Sequence, residues 1–212
     1  MPECFNEIID PGIEIILWQI TENENELRMG LSLSQEAQKR LSLRKSSTHR
    51  KGYLAVRQLL KQHNIAPKLH QYESNGAPYL TDGRFLSISH TKNVAAVAIA
   101  NTPVGIDVEA YQNKIVPIST RFINPKQRIL IKPPNQIEQY TQIWTAKEAI
   151  YKVFNTPGIH FADQIYIHPF TWGASKGEGQ LIEKGIQHDF YLHFFDFKNY
   201  CVTLANPKQS NV

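Results

Sequence analysis

The chain has few of the residues that would point to a disulfide-rich, secreted or membrane-spanning protein. Among 212 residues there are only two cysteines, Cys4 and Cys201. Two isolated thiols indicate a reducing compartment, although a single bridge between them stays open. No apolar run approaches the length of a membrane span, and the first residues lack the basic start and apolar core of a signal peptide. We therefore expect a cytoplasmic protein without a membrane partner.

Acidic residues are missing from two long stretches. Residues 37–72 contain nine lysines and arginines and no acid, and since the whole chain has a net charge of +4, the remainder carries −5. Residues 110–137 also lack acids and contain five basic residues. Such stretches favour anionic partners: phosphates, nucleic acid or an acidic protein.

The order of strand and helix patterns predicts an α+β fold. Strands are predicted at residues 14–20, 85–90, 94–100 and 105–109, a helical segment from Ser32 or Ser34 to residue 63, a second long helix over 136–154, and four strands after it. We expect strands 94–100 and 105–109 to form a hairpin. The predicted domain boundary lies near this turn, between residues 1–102 and 103–212.

Two carboxylates stand out in the segment Gly-Ile-Asp-Val-Glu at residues 105–109. Asp107 and Glu109 are two positions apart, so both leave a strand from the same face. Acids at this spacing are usually a solvated face. Here they interleave with apolar residues, which indicates a partly buried setting.

A third carboxylate and a lysine lie on the second long helix, in Trp-Thr-Ala-Lys-Glu-Ala-Ile-Tyr-Lys at residues 144–152. Glu148 and Lys152 are four apart and share one helix face; the alternative is an ordinary surface pair. Carboxylates bind Mg²⁺, whose remaining ligands are often waters and substrate phosphates, and a lysine adds a point charge for phosphate. The sequence therefore predicts Mg²⁺-dependent chemistry on a phosphate ester or anhydride.

Four motifs in order resemble the 4′-phosphopantetheinyl transferase superfamily, in its longer, pseudo-dimeric Sfp-type branch. They are Asn-Gly-Ala-Pro at 75–78, Ser-Ile-Ser-His at 87–90, the strand motif at 105–109 and the helix motif at 144–152. The resemblance implies two similar α/β halves in a pseudo-two-fold arrangement, with the site in the cleft between them. It also implies a monomer that moves the 4′-phosphopantetheine arm of coenzyme A onto a serine of an acyl or peptidyl carrier protein, using Mg²⁺ or Mn²⁺ and releasing adenosine 3′,5′-bisphosphate.

The resemblance also implies roles for individual residues. Metal ligands would be Asp107, Glu109 and Glu148; catalytic residues would be Glu148, Lys152 and Asp107; coenzyme A would contact Lys45, Arg50, Ser89, His90, Lys147 and Lys152. Glu148 is also the candidate base for the serine proton, but a carboxylate bound to Mg²⁺ is a poor base, and the sequence does not decide between these roles. Lys45 and Arg50 could instead be solvated charges, and Lys147 an exposed neighbour.

A basic and apolar segment suits an acidic carrier protein. Arg121, Phe122 and Arg128 are the predicted docking residues, within a segment that also contains Ile123, Lys126, Ile129, Ile131 and Lys132. The alternative is that the apolar residues pack inward.

Two departures from the family pattern keep other functions open. Ala77 stands where members often have lysine, and Gln127 stands where many have glutamate and cannot act as a base. A non-catalytic binder of coenzyme A or of a carrier protein is one rival. A nucleic-acid-binding protein using residues 37–72 is another, although it would leave the acidic set unexplained.

Overall fold

The structure, a computed structural model, describes residues 4–10, 12–128, 131, 133–171 and 173–208. The chain divides into two units, Met1–Thr102 and Pro103–Val212, called unit 1 and unit 2 below. Each unit has an antiparallel sheet and a cluster of buried apolar side chains. The predicted α+β fold class is confirmed.

The elements of unit 1 are β1 (Cys4–Asp10), β2 (Ile13–Gln19), α1 (Glu24–Arg28), α2 (Gln35–Ser42), α3 (Ser47–Gln62), β3 (His70–Tyr72), β4 (Pro78–Leu80), β5 (Phe85–His90) and β6 (Val94–Ala100). Its strands form a four-stranded sheet in the order β1-β2-β6-β5 and a separate hairpin of β3 and β4. Helix α3 packs on the sheet through an apolar stripe whose members Leu54, Val56, Leu59 and Leu60 are buried.

The helical segment predicted from Ser32 or Ser34 is in fact two helices. Ser34 caps α2, its Oγ accepting a hydrogen bond from the Ala37 N–H at 3.2 Å, and α3 then begins at Ser47. Helix α1 and strand β1 are among the elements that were not predicted. Helix α1 begins with a capping box of Asn23 and Glu26, a readable signal that we missed. Strand β1 is a short edge strand that pairs only with β2.

The elements of unit 2 are β7 (Gly105–Ala110), α4 (Ile115–Ile118), a 3₁₀ turn (Ser119–Arg121), α5 (Pro125–Arg128), α6 (Gln136–Phe154), α7 (Phe161–Gln164), β8 (Ile165–Ile167), β9 (Lys176–Glu183), β10 (Ile186–Phe197) and β11 (Tyr200–Pro207). Its strands form a five-stranded sheet in the order β7-β11-β10-β9-β8. The predicted bounds of α6 are confirmed. Helix α6 packs on β7 and β11.

The predicted hairpin of residues 94–100 and 105–109 is wrong. Strand β6 pairs with β2 on one side and β5 on the other, so both of its edges are occupied. Strand β7 pairs with β11, placing Asp107 opposite Thr203. The short connection between β6 and β7 therefore joins two sheets.

In the part of the chain that the structure describes, no helix combines the length and apolar character needed to cross a membrane. Cys201 is a buried free thiol.

Candidate active site

Helix α6 approaches strand β7 closely because β7 begins with glycine. A Cβ atom added to Gly105 would lie 2.0 Å from the Ala149 carbonyl oxygen and 2.9 Å from Val153 Cγ2. Side chains do not tolerate such distances, so only glycine fits here without moving backbone. Since Ala149 follows Glu148 in α6, this contact brings the acid of the helix close to those of the strand.

An ion pair joins the two predicted motifs. Lys152 Nζ donates hydrogen bonds to Asp107 Oδ1 at 2.7 Å and to the Ile106 carbonyl at 2.9 Å. Asp107 is only 5 % exposed, and its neighbours Ile106 and Val108 are buried as expected. Asp107 therefore lies in a buried position where α6 meets β7, and not on a solvated face.

The remaining two carboxylates are poorly compensated. Burial raises the pKa of Glu148 to about 7, and the charges of Asp107 and Glu109 add to this while Lys152 opposes it. Burial and Asp107 also raise the pKa of Glu109, against the effects of Lys114, a hydrogen bond from Trp144, and Lys152. The three carboxylates thus affect one another's ionisation, and only Asp107 forms an ion pair with Lys152. When all three are ionised, negative charge is in excess.

The carboxylates have the donor chemistry of a hard-cation site, but their present placement is not that of a formed one. Oxygen ligands and excess negative charge suit Mg²⁺. Among the described residues, however, no group of three His, Cys, Asp or Glu side chains is placed to hold a metal ion together. Lys152 Nζ also forms an ion pair with Asp107 Oδ1, so this oxygen is already engaged. Binding a cation would therefore require side-chain rearrangement around Asp107.

A buried polar layer behind the acids was not found from the sequence. Thr145 of α6 and Thr203 of β11 share a hydrogen bond of 2.7 Å between their hydroxyls, and Thr145 Oγ1 lies 3.4 Å from Cys201 Sγ. Thr203 and Cys201 stand opposite Asp107 and Glu109 in the sheet register. These hydrogen bonds connect α6 to β11 beside the acidic strand β7. Thr145 belongs to the helix motif, but no signal in the sequence pointed to its distant partners.

Lys147 requires a correction. Its side chain is 0 % exposed, and Nζ donates to Gln127 Oε1 at 3.0 Å, to the Phe161 carbonyl at 2.7 Å and to the Ile165 carbonyl. All three ammonium hydrogens are used inside unit 2, so neither the predicted coenzyme A contact nor an exposed neighbour describes this residue. Burial lowers the pKa of Lys147 to about 7.

The same contact explains where Gln127 lies. Its amide is buried, accepting from Lys147 and donating from Nε2 to the Ile167 carbonyl at 3.2 Å. In this structure the residue that departs from the family pattern is the partner of a buried lysine.

Phe122 also requires a correction as a docking residue. It is 1 % exposed and packs edge-on against Trp144, with ring centroids 5.0 Å apart. The alternative of inward packing therefore holds for Phe122, and Ile123 is buried as well. Arg121 and Arg128 are exposed, whereas Ile129 and Lys132 lie outside the described residues.

The residues predicted to bind coenzyme A in unit 1 lie around the first turns of α3. Arg50 Nε donates to Glu24 Oε2 at 2.8 Å, and Nη1 donates to the carbonyls of Arg44 and Lys45. Arg50 also lines an open cavity of about 410 Å³ together with Arg28. The side chain of Lys45 is exposed.

His90, at the end of β5, packs against this helix. A Cβ atom at Gly52 would lie 2.6 Å from His90 Nδ1, so glycine at this position makes room for the imidazole. Ser89, the preceding residue, is buried. His90 therefore contacts α3 at Gly52, which follows Arg50 by two residues.

Comparison with known proteins agrees with these motifs. Residues 103–205 match the family model described as 4′-phosphopantetheinyl transferase superfamily, and residues 35–100 match the one described as 4′-phosphopantetheinyl transferase N-terminal domain. The chain belongs to the 4′-phosphopantetheinyl transferase superfamily. The predicted family is confirmed, and the N-terminal match is consistent with the Sfp-type branch.

A curated relative supports the same family. The chain is similar to 4′-phosphopantetheinyl transferase gsp of Aneurinibacillus migulanus, with 28 % identity over 110 residues. This match covers 48 % of the present chain and 45 % of the relative. The chain therefore matches less than half the length of that protein.

Proposed function

We propose that this protein transfers the 4′-phosphopantetheine arm of coenzyme A to a serine of an acidic acyl or peptidyl carrier protein. The observation that carries the proposal is the buried Asp107–Lys152 pair beside two carboxylates of raised pKa, in a member of this transferase superfamily. We further propose that it acts as a cytoplasmic monomer and needs neither nucleic acid nor membrane.

Asp107 and Glu109 are the proposed ligands of Mg²⁺ or Mn²⁺, with Glu148 as a third where it is not acting as base. A bound cation would neutralise the pyrophosphate of coenzyme A and stabilise the charge that develops on the leaving phosphate. The excess negative charge of the three carboxylates supports this assignment, because a cation would lower the cost of their ionisation.

The reaction requires a base and a cation at the leaving group. The carrier serine Oγ attacks the phosphorus that bears the pantetheine arm, and the bond from this phosphorus to the bridging oxygen of adenosine 3′,5′-bisphosphate breaks. Glu148 would accept the serine proton, because a pKa of about 7 suits a base at neutral pH. Lys152, whose side chain is 25 % exposed, would stabilise the leaving phosphate.

Unit 1 would hold the phosphates of coenzyme A. Arg50 and His90 are the proposed contacts, with Ser89 and the exposed Lys45 beside them. The cavity that Arg50 shares with Arg28 supports an anionic ligand at this position, although Glu24 now pairs with Arg50 and would have to share it. Arg121 and Arg128 remain the proposed charges that attract an acidic carrier.

The test is intact-mass spectrometry of an apo carrier protein incubated with this protein, coenzyme A and Mg²⁺, with and without a chelator. We expect a mass gain of one phosphopantetheine arm that the chelator abolishes. The Glu148→Gln variant should lose the activity, whereas Glu138→Gln, on the same helix, should retain it.

A non-catalytic binder of coenzyme A is the second candidate, favoured by Ala77 and by the burial of Gln127 against Lys147. No mass gain with several carrier classes, despite measurable binding of coenzyme A, would replace the transferase by this function.

A further inference from the structure

Unit 1 contains a cavity that the proposed transfer reaction does not use. Its volume is about 320 Å³, and it lies between the start of α2, the second half of α3 and the segment that leads into β3. Its lining includes none of Lys45, Arg50, Ser89 and His90. The apolar part of the wall is formed by Leu31, Leu33, Ala37, Leu60, Ile65 and Pro67. A cavity of this size is at the lower end of small-molecule sites.

One side of the cavity is formed by arginines stacked on tyrosines. The Arg57 guanidinium carbon lies 3.4 Å from the centre of the Tyr53 ring. Arg44, which does not line the cavity, lies 4.1 Å from the same ring. Arg40 lies 4.0 Å from the Tyr72 ring, and Arg57 donates to the Tyr72 hydroxyl at 2.8 Å. Stacking fixes the planar guanidinium groups in place.

This cluster has little negative charge to balance it. Arg40 pairs with Glu36 at 3.0 Å. Within the described ranges, neither Arg44 nor Arg57 has a carboxylate at ion-pair distance. Burial lowers the pKa of Arg44, and the neighbouring Arg57 and Arg40 contribute in the same direction. Arginine nevertheless stays protonated, so the wall has a net positive charge that an anion would neutralise.

Two buried polar atoms at the cavity also lack partners. Tyr53 is 2 % exposed, and neither its hydroxyl nor His70 Nε2 has a hydrogen-bond partner among the residues described. Burial, with Arg57 and Arg40, lowers the pKa of His70 to about 3, so its ring is neutral at pH 7. Buried donors and acceptors in folded proteins are nearly always bonded, and a ligand in the cavity would supply the missing partner.

We propose that this cavity binds a small amphipathic anion, with an aliphatic body on the apolar wall and a carboxylate or phosphate-monoester head group at Arg57 and Tyr53. Arg57 uses one N–H on Tyr72 and keeps others for the head group, and guanidinium groups bind carboxylate and phosphate in a fork. Both rings beside it are already covered by guanidinium groups, so the body of the ligand meets Leu31, Leu60 and Ile65.

The test is isothermal titration calorimetry of the whole chain with octyl phosphate, octanoate, inorganic phosphate and 1-octanol. We expect saturable one-site binding of one or both of the eight-carbon anions, and at least tenfold weaker binding of octanol. The octyl phosphate and octanoate arms distinguish a phosphate ligand from a carboxylate ligand. Inorganic phosphate alone should bind at least tenfold more weakly, because it lacks the aliphatic body.

Three variants test the assignment. Arg57→Gln should weaken anion binding at least tenfold, and Tyr53→Phe several-fold. Arg84→Gln is the matched control, since it removes a partly exposed arginine of the same unit that lies outside the cavity and should leave binding unchanged. Ala37→Leu fills the cavity without removing a charge, so it tests the site even if circular dichroism shows that Arg57→Gln does not fold.

Saturable binding that Arg57→Gln and Ala37→Leu both weaken would support the proposal. Three results would overturn it: no saturable binding of either eight-carbon anion, octanol binding as tightly as the anions, or anion binding unaffected by these two variants.

Discussion

The two long helices of the chain differ in their charges and in how those charges are arranged. Helix α3 contains four lysines and arginines and no acid, whereas α6 contains two acids and two lysines and packs against the acidic strand β7. On α3 the cations are dispersed: Arg50 bonds to Glu24 and two carbonyls, Arg57 stacks on Tyr53, and Lys61 donates to the Gly30 carbonyl. On α6 and β7 the carboxylates are concentrated, with one lysine among three acids. Long basic side chains can reach distant neutral partners, whereas short acidic ones stay where the backbone puts them. Concentrated charge is therefore the better sign of a reaction site here.

The two helices also differ in the kind of atoms that meet at the glycine where each helix packs closely. Gly105 lies against the backbone of α6, while Gly52 of α3 lies against the side chain of His90. A side chain can turn away, but a packed backbone cannot without moving its helix. The site in unit 2 is thus the more rigidly built of the two.

The largest expected effect follows from removing the charge of Glu148. Glu148→Gln should lower transferase activity about 10²- to 10⁴-fold, because the proposed base is lost. Activity would be followed by carrier mass gain, with Glu138→Gln as the control on the same helix. Activity within twofold of the parent would remove Glu148 from the mechanism.

The same substitution should raise stability in the absence of metal. The pKa of Glu148 is raised in the folded state to about 7. Stability from this group is therefore present below the ordinary carboxyl pKa and is lost as pH rises through about 7. We expect Glu148→Gln to be more stable than the parent by about 1 kcal/mol at pH 8 and nearly equal at pH 4, measured by urea unfolding.

Substitution of the two closely packed glycines, Gly105 and Gly52, should lower stability by different amounts. Gly105→Ala should lower the free energy of unfolding by about 3 kcal/mol, because the added methyl group meets the Ala149 carbonyl. Gly52→Ala should cost about 1 kcal/mol, because His90 can rotate. Equal costs in urea unfolding would show that the backbone contact in unit 2 is no more rigid than the side-chain contact in unit 1.

The buried Lys147 should give unit 2 a pH dependence of its own. Its pKa is lowered to about 7 in the folded state, so between this value and 10.5 the unfolded chain holds a proton that the folded chain releases. The contribution of Lys147 to stability therefore increases with pH across that window, by about 1–2 kcal/mol from pH 7 to 9.

Gln127→Glu should reduce this increase, because a carboxylate beside Lys147 favours its charged form. Urea unfolding at pH 7 and pH 9 would measure the difference, with Gln112→Glu as the exposed control. An unchanged pH dependence in Gln127→Glu would mean that Lys147 titrates outside this window.

The smallest expected effect concerns the exposed cations of unit 2. Arg121→Glu combined with Arg128→Glu should raise the carrier KM about three- to tenfold, more at low salt, because charge steering is lost while coenzyme A affinity is unchanged. Lys176→Glu is the control at an exposed lysine on β9. A carrier KM that does not move would show that the carrier binds elsewhere.

Much of the fold could be predicted because local patterns were strong. The bounds of β5, β6 and α6 were predicted correctly from apolar patterns and turn residues. Strand β1 was not, since an edge strand with exposed side chains depends on its partner and has a weak pattern of its own. Helix α1 was missed although its capping box is present in the sequence.

The motifs in their order were enough to predict the family and the α+β class. Spacing also predicted that Asp107 and Glu109 share one strand face and that Glu148 and Lys152 share one helix face. The assignment of β6 and β7 to different sheets, the burial of Lys147 and Phe122, and the cavity beside Arg57 became known from the folded chain. Burial and strand pairing depend on contacts between residues far apart in the chain, which no local pattern contains.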